Sequence, residues 1–272
     1  MARRLLIAVC FAFLVVGTGI AAADGPPQGI SENGTGVASP DGTVRYVTLA
    51  DGSKTLLEVV NARNGSVENW VWLKGVFALP AIGWAADGLS ADGKTLVLTT
   101  YPWVGRSKTF LVLRVPNLTT KRVVTLKGAW SYDAISPNAL TLYLIQGQPG
   151  RYLVRAYDLH QGRLLKRVIA DRREQGPMTG SPVTRAASPG GRWDYTLYLR
   201  GNGTGFIHAL DTVRRAAVCI DLPWQAMDSW VYSARLWVSR DGRAVHLREV
   251  GVNGRTAVVD TRTWKLRVSS PI

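Results

Sequence analysis

Short runs of apolar and β-branched residues recur along the chain at a nearly constant spacing, each following a turn that begins with serine. The five turns are Ser39-Pro40-Asp41-Gly42, Ser90-Ala91-Asp92-Gly93, Ser136-Pro137-Asn138-Ala139, Ser188-Pro189-Gly190-Gly191 and Ser239-Arg240-Asp241-Gly242. Their serines are 51, 46, 52 and 51 residues apart. Proline fixes φ, Asp or Asn hydrogen-bonds to the nearby backbone, and glycine accepts a positive φ. Each phrase therefore predicts a tight turn between two β-strands.

A second strand-and-turn element recurs later in each repeat. The residues that end its strand are Asn61, Pro116, Asp158, Asp211 and Asp260. Each is followed by a turn and another β-rich run, so one repeat holds four strands. No convincing helical pattern follows the N-terminal segment. Four antiparallel strands in 46 to 52 residues are typical of one blade of a β-propeller.

The serine turns and the later strand ending in Asp resemble the secreted bacterial WD40-like propellers, with TolB-type and surface-layer-type repeats. The resemblance implies an all-β propeller, and such propellers include both binding proteins and enzymes. We expect five blades, with six as the less favoured alternative, and a ring closed mainly by packing of the first blade on the last. The predicted repeats are about 35–80, 81–128, 129–180, 181–228 and 229–272.

The N-terminus has the pattern of a secretory signal peptide. Arg3 and Arg4 precede an apolar run from Leu5 to Val16, and small residues end at Ala23. We expect cleavage after Ala23, and we interpret 24–34, rich in Gly and Pro, as a leader. The run is short for a membrane span. The mature protein is then expected to be secreted or held in the cell envelope, without a membrane-spanning segment.

The charge of the chain suggests its partners. Its formal net charge is +14, and loss of Arg3 and Arg4 with the signal peptide lowers this to +12. A positive field attracts anionic polymers or acidic proteins. No basic helix or binding motif accompanies it, so no specific nucleic-acid partner is predicted. Nor do the histidine spacings or known motifs indicate a metal or cofactor. Cys219, the one cysteine outside the signal segment, is expected to be buried, with no base nearby.

The alignment on the turn serines isolates candidate site residues. Three residues before the serine, on the predicted inner strand, three successive repeats carry Asp87, Asp133 and Arg185. Inner strands approach the central channel, so these residues could bind a cation or polar ligand, or form an acid/base pair. The structural alternative is that the aspartates accept backbone N–H groups and Arg185 pairs with one of them.

Two tryptophans are also candidates for the channel mouth. Trp84 and Trp130 both lie six residues before their turn serine. They could stack on a sugar ring, or they could fill the wedges between blades. The sequence favours a non-catalytic, exported binding module of the cell envelope for an anionic polymer or acidic protein. The alternative is a hydrolase or lactonase with its site at the channel mouth around Asp87, Asp133 and Arg185.

Overall fold

A computed structural model of the chain describes residues 36–83, 85–101, 106–173, 176–225, 233–249 and 255–269. They form five four-stranded antiparallel sheets and one small hairpin. The predicted all-β propeller with five blades is thus confirmed. The predicted signal peptide (1–23), the leader (24–34) and Trp84 lie outside the described residues. No helix within the described ranges is both long and apolar enough to cross a membrane.

Each sheet is one blade, numbered here in chain order. Blade 1 is formed by β1 (Val37–Ala38), β2 (Val44–Asp51), β3 (Lys54–Asn61) and β4 (Val67–Lys74). Blade 2 is formed by β5 (Phe77–Ala78), β8 (Thr95–Thr100), β9 (Ser107–Arg114) and β10 (Thr119–Lys127), and between β5 and β8 lies the hairpin of β6 (Ala81–Ile82) and β7 (Ala85–Ala86). Blade 3 is formed by β11 (Trp130–Ile135), β12 (Thr141–Gln148), β13 (Arg151–Asp158) and β14 (Arg163–Ile169). Blade 4 is formed by β15 (Ser181–Ala187), β16 (Trp193–Leu199), β17 (Thr204–Asp211) and β18 (Ala216–Gln225), and blade 5 by β19 (Arg235–Val238), β20 (Ala244–Arg248), β21 (Thr256–Asp260) and β22 (Leu266–Ser269).

The serine of each turn holds the first two strands of its blade together. In blade 2 the hydroxyl of Ser90 donates to Oδ1 of Asp92 at 2.6 Å and accepts from the backbone N–H of Thr95 at 2.9 Å. The same pair of bonds recurs in blades 1, 3 and 5. The fourth turn residue has a positive φ in every blade, and blade 3 alone places a non-glycine there, Ala139 at φ 50°. The repeated phrase is therefore a hydrogen-bonded corner that fixes the register of each blade.

The hydrophobic core is divided among the spaces between consecutive blades. Four clusters of buried side chains lie between blades 1 and 2, 2 and 3, 3 and 4, and 4 and 5. Leu57 and Leu98, both fully buried, pack across the first of these spaces. Alternate residues of each strand point to opposite faces of its sheet, so an internal blade buries both faces against its neighbours.

Blades 1 and 5 each have one face that does not pack against another blade in these four clusters. On β4 of blade 1, Trp70 is 58% exposed and Trp72 is 45% exposed, on the face opposite to the buried Leu73. On β19 of blade 5, Trp237 is 44% exposed and stacks on His246. No apolar cluster within the described ranges joins blade 5 to blade 1. The expected closure by packing of these two faces is therefore not seen there.

Blade 2 departs from the common pattern at its inner strand. The strand that pairs with β8 is β5, while Leu89 forms only an isolated bridge with Leu96. The β6–β7 hairpin separates these two segments and reaches blade 4, where a Cβ at Gly83 would clash with the carbonyl oxygen of Val183. Asp87, predicted to lie on an inner strand, lies outside any strand because the hairpin interrupts the strand before it.

Candidate functional site

The guanidinium of Arg185, on β15, lies among the charged residues predicted from the inner-strand alignment. Its Nη1 donates to Oδ2 of Asp87 at 3.2 Å and to the carbonyl oxygen of Asp133 at 2.6 Å. Its Nη2 donates to the carbonyl oxygen of Tyr132 at 3.2 Å. The structure therefore brings Asp87, Asp133 and Arg185 together from blades 2, 3 and 4.

A third carboxyl group, that of Asp194 on β16, belongs to the same group. We call Asp87, Asp133, Arg185 and Asp194 the central cluster. Asp133 is 1% exposed and Asp194 is 5% exposed. Within the described part of the chain, Oδ2 of Asp133 and Oδ1 of Asp194 have no hydrogen-bond partner. The cluster therefore holds three carboxyl groups and one cation, all in or near the protein interior.

Burial dominates the titration of the central cluster. It raises the pKa of Asp133 to about 6, against the opposing charge of Arg185 and with the support of Asp87. Burial, followed by the charge of Asp87, also raises the pKa of Asp194 well above its usual value. Burial disfavours the charge of Arg185, but Asp194, Asp87 and Asp133 outweigh it and raise the pKa of Arg185. Protonation of carboxyl groups thus keeps the net charge of the cluster small.

The contacts of Asp87 and Arg185 match the structural role considered from the sequence, in which an aspartate accepts a backbone N–H group and Arg185 pairs with an aspartate. Oδ1 of Asp87 accepts from the backbone N–H of Gly88 at 2.6 Å and from the hydroxyl of Tyr132 at 3.4 Å. Arg185 binds one carboxylate and two backbone carbonyl groups. These bonds tie three blades together near the centre of the fold.

Of the two predicted tryptophans, only Trp130 lies within the described residues, and it is not part of this cluster. Trp130 is 6% exposed, packs in the core between blades 2 and 3, and donates from Nε1 to the carbonyl oxygen of Lys127 at 2.9 Å. Trp84 lies outside the described residues. Binding of a ligand by either residue stays a prediction.

Two cavities lie on opposite sides of the central cluster. The turn-side cavity, about 210 Å³, lies among serine turns of blades 1, 2 and 4 and is lined by Asp87, Asp194 and Tyr132, among others. The hairpin-side cavity, about 160 Å³, lies at the other end of β8 and is lined by Lys108, Arg185 and Tyr132 together with apolar residues. Among the described residues, the first cavity has no Lys or Arg in its lining and the second has no Asp or Glu.

A larger and more open depression lies between blades 2 and 3. We call it the blade 2–3 groove; its volume is about 500 Å³, and its charged lining residues are Asp92, Lys94, Arg114 and Lys121. Nζ of Lys121 donates to the carbonyl oxygen of Ala139 at 3.0 Å. Burial, followed by the charge of Arg114, lowers the pKa of Lys121, while Asp92 acts in the opposite direction. Three cations thus share this groove with one carboxylate.

The environment of Cys219 differs from the prediction of a buried thiol with no base nearby. Cys219 is partly exposed, and an imidazole lies beside it. Cys219 and His208 are cross-strand partners on β18 and β17, and Sγ lies 3.6 Å from Nδ1 of the histidine. Burial lowers the pKa of His208 to about 4. Because burial disfavours the imidazolium that would form, His208 is a weak base for the thiol proton, and the pair shows no sign of an activated nucleophile.

Several charged residues of these sites were missed by the sequence alignment. Asp194 interrupts an apolar strand pattern, and that interruption was the available signal, whereas Lys108 follows polar residues and gives no such signal. Lys94, Arg114 and Lys121 are separated along the chain, and they meet because the pairing of β8, β9 and β10 brings these positions together at one end of blade 2. No group of three or more His, Cys, Asp or Glu side chains in the described ranges is arranged to hold a metal ion.

Comparison with known proteins finds solved structures that are similar to this chain over most of its length. The chain is similar to hydrazine synthase of Kuenenia stuttgartiensis (14% identity, 86% of this chain and 64% of that chain, TM-score 0.53). It is also similar to prolyl oligopeptidase B of Galerina marginata (14% identity, 86% and 34%, TM-score 0.54) and to TolB of Acinetobacter baumannii (16% identity, 86% and 51%, TM-score 0.48). No family model and no curated protein matches the chain.

These similarities concern the fold and nothing more specific. The chain spans 64% of the hydrazine synthase chain and 34% of the prolyl oligopeptidase chain. The propeller fold implied by the resemblance to TolB-type repeats is confirmed by the five four-stranded antiparallel sheets of the chain itself. Because a propeller is shared by proteins of different activities, the function has to be argued from the sites of this chain.

Proposed function

We propose that this chain is an exported, non-catalytic binding module of the cell envelope. In this proposal its partner is a chain of acidic groups, either an anionic polymer or an acidic protein segment, and the blade 2–3 groove is the binding surface. The proposed location rests on the signal-peptide pattern of residues 1–23.

The observation that carries the proposal is the incomplete neutralisation of the groove. Among the described residues, Lys94, Arg114 and Lys121 line it with Asp92 as the one counter-charge. Oδ1 of Asp92 also accepts from the turn hydroxyl of Ser90 and from the backbone N–H of Lys94. The positive charge of Arg114 contributes to the lowered pKa of Lys121. An anion bound between these cations would relieve that repulsion, so the groove favours acidic ligands.

The catalytic alternative has no comparable support. An acid/base pair needs two carboxyl groups that a substrate can reach. Asp133 is 1% exposed and lines neither the turn-side nor the hairpin-side cavity. Asp87 is paired with Arg185. We therefore propose no acid/base reaction for Asp87 and Asp133.

The test compares two variants that change the net charge equally. The groove variant is Lys94→Glu, Arg114→Glu, Lys121→Glu, and the control is Arg151→Glu, Lys166→Glu, Arg167→Glu, at exposed positions of blade 3. Binding of fluorescent polyglutamate and of polyphosphate is measured by anisotropy at several salt concentrations. The first probe carries carboxylates and the second phosphates, so together they separate the two ligand chemistries.

We expect the wild type to bind at least one probe with an affinity that falls as salt rises. The groove variant should lose at least tenfold in affinity and much of the salt dependence. The control should lose less, because only its long-range field has changed. Equal losses in the two variants would assign binding to the diffuse field and contradict the groove as the site, and no binding by the wild type to either probe would contradict the proposal.

A further inference from the structure

Asp194 occupies a buried position where three other blades have an apolar residue. It lies six residues after its turn serine, and the residues at the same distance in blades 2, 3 and 5 are Leu96, Leu142 and Val245. All three are fully buried in the core between blades. Blade 1, the first blade, has Arg45 there. The fold therefore accepts a leucine or a valine at this position and does not require a carboxyl group.

The carboxyl group of Asp194 is buried without the hydrogen bonds that burial calls for. Asp194 is 5% exposed, and its Oδ1 has no hydrogen-bond partner among the described residues. Native proteins pair nearly all of their buried polar groups, because an unpaired one is costly. The charges of the central cluster balance when carboxyl groups hold protons, but this oxygen still lacks a donor. A costly group that the fold does not need is a candidate for binding a ligand.

The turn-side cavity lies beside this carboxyl group. Asp194 lines the cavity together with Tyr132 and Asp87, and the side chain of Asp87 is 18% exposed. Arg185, the cation of the central cluster, lines the hairpin-side cavity instead. Among the described residues of its wall, the turn-side cavity thus presents two carboxyl groups and no cation. This arrangement favours a ligand with a positive charge.

Blade 4 also departs from the repeated turn at this cavity. In blades 1, 2, 3 and 5 the turn serine donates to the Asp or Asn two residues later. Blade 4 has Gly190 in place of that residue, so the hydroxyl of Ser188 accepts from the backbone N–H of Trp193 at 3.0 Å but lacks this acceptor for its own proton. Ser188 lines the turn-side cavity. Two exceptions of blade 4, Asp194 and Ser188, therefore leave hydrogen-bonding groups available at one place.

The size and the wall of the cavity limit what it can hold. Its volume is about 210 Å³, and part of its wall is formed by the apolar side chains of Val37, Leu89 and Ile135. An engineered apolar cavity of about 150 Å³ in another protein binds benzene, so this cavity has room for a ring with a short substituent. Calcium and magnesium take about six or more oxygen ligands, whereas an ammonium group has three N–H groups to donate. Two carboxyl groups beside an apolar wall fit an organic ammonium better than a metal ion.

We propose that the turn-side cavity binds a small organic amine, with its ammonium group held by Asp194 and Asp87 and its apolar body against Val37, Leu89 and Ile135. In the free protein, burial and the charge of Asp87 raise the pKa of Asp194, so its carboxyl group keeps a proton. On binding, the ammonium takes the place of this proton, which passes to solvent. Charge-assisted N–H···O bonds then supply the donor that Asp194 lacks. This site takes a small cation and is separate from the blade 2–3 groove.

The test uses benzylamine as the probe and benzyl alcohol as its neutral counterpart, with binding measured by saturation-transfer NMR and calorimetry at neutral pH. Asp194→Asn keeps the size of the side chain and removes its capacity for negative charge. Asp221→Asn, whose side chain is 64% exposed on blade 4, is the control. We expect benzylamine to bind the wild type and the control within about twofold of each other, and to bind Asp194→Asn at least tenfold more weakly. Benzyl alcohol should bind all three alike.

A second variant separates ligand binding from folding. Ala187 is exposed, pairs with Asp194 across the two strands and lines the cavity. Ala187→Trp should fill the space beside Asp194 while every carboxyl group stays in place, so it should lose both probes. Benzylamine binding that is unchanged in Asp194→Asn or in Ala187→Trp, or absent in the wild type, would overturn the proposal. If Asp194→Asn does not fold, Ala187→Trp decides it alone.

Discussion

The central cluster and the blade 2–3 groove both concentrate charged side chains, but in opposite environments. In the cluster, Arg185 is 4% exposed and contacts Asp87 and two backbone carbonyl groups. In the groove, Lys94 and Arg114 are exposed and share the surface with Lys121. The cluster uses its charges to hold blades 2, 3 and 4 together. The groove leaves a positive charge in excess, and that excess is what a partner can use.

The comparison shows which observations separate a structural cluster of charges from a candidate binding surface in this propeller. Strongly shifted pKa values occur in the cluster, although its charges already satisfy one another. The groove shows only a modest effect on Lys121, yet its cations repel each other in reach of solvent. We therefore choose the candidate binding surface by its accessible, uncompensated charge and not by the size of a pKa shift.

The largest expected effect comes from removing the cation of the cluster. Arg185→Met leaves Asp87, Asp133 and Asp194 without their common partner, so we expect the free energy of unfolding to fall by about 3–5 kcal/mol. The control is Arg243→Met, which removes a pair at 3.8 Å whose side chains are 65% and 58% exposed. It should change stability by less than about 0.5 kcal/mol. Urea unfolding measures both, and similar values would contradict a structural role for the cluster.

A pH titration tests the buried carboxyl group of Asp133. Its pKa is about 6 in the folded protein against 3.8 as the usual value, so the folded state binds the extra proton between these values. The wild type should lose stability as pH rises through this window, by about 3 kcal/mol from this group. His208, whose pKa is lowered to about 4, acts in the opposite direction. The contribution of Asp133 is therefore read from a difference between variants.

Asp133→Asn supplies that difference. The free energy of unfolding of Asp133→Asn minus that of the wild type should increase between about pH 4 and pH 6.5. Since His208 is present in both proteins, its titration cancels. A difference that stays constant across this range would show that Asp133 is not the buried, protonated group described here.

The smallest expected effect lies at the wall of the groove. Ala139 has φ 50° where the other four serine turns have glycine. Ala139→Gly relieves strain of about 1–2 kcal/mol and loses a buried methyl group worth about 0.8 kcal/mol, so we expect a gain of about 0.5 kcal/mol. The carbonyl group that accepts from Lys121 is kept. Polyanion affinity should not change, and a loss would mean that the turn, not the charges, determines binding.

The fold could be predicted because each repeat carries its own signals. The serine hydroxyl and the Asp or Asn two residues later form a local bond in blades 1, 2, 3 and 5. In blade 4, where glycine replaces the Asp or Asn, the serine hydroxyl still accepts from the backbone N–H of Trp193. The alignment of these turns also found Asp133 and Arg185. It could not place Asp87 correctly, because the β6–β7 hairpin displaces the inner strand of blade 2. The hairpin approaches blade 4 so closely that a Cβ at Gly83 would meet the carbonyl oxygen of Val183, and the turn phrase carries no signal of this contact.

The groove could not be predicted, because it depends on strand pairing within blade 2 and on the packing of blade 3 beside it. Lys94 comes from the segment before β8, Arg114 from the end of β9 and Lys121 from β10, and the last donates to blade 3. None of the three interrupts a sequence pattern.

The pKa of Lys121, followed by NMR of its side-chain nitrogen, tests the central claim most directly. The free protein should show this pKa below its usual value of 10.5, through burial and the charge of Arg114. Saturation with polyglutamate should raise it, since bound carboxylates favour the charged ammonium. A pKa that does not change at saturation would contradict the groove as the surface on which this propeller binds acidic partners.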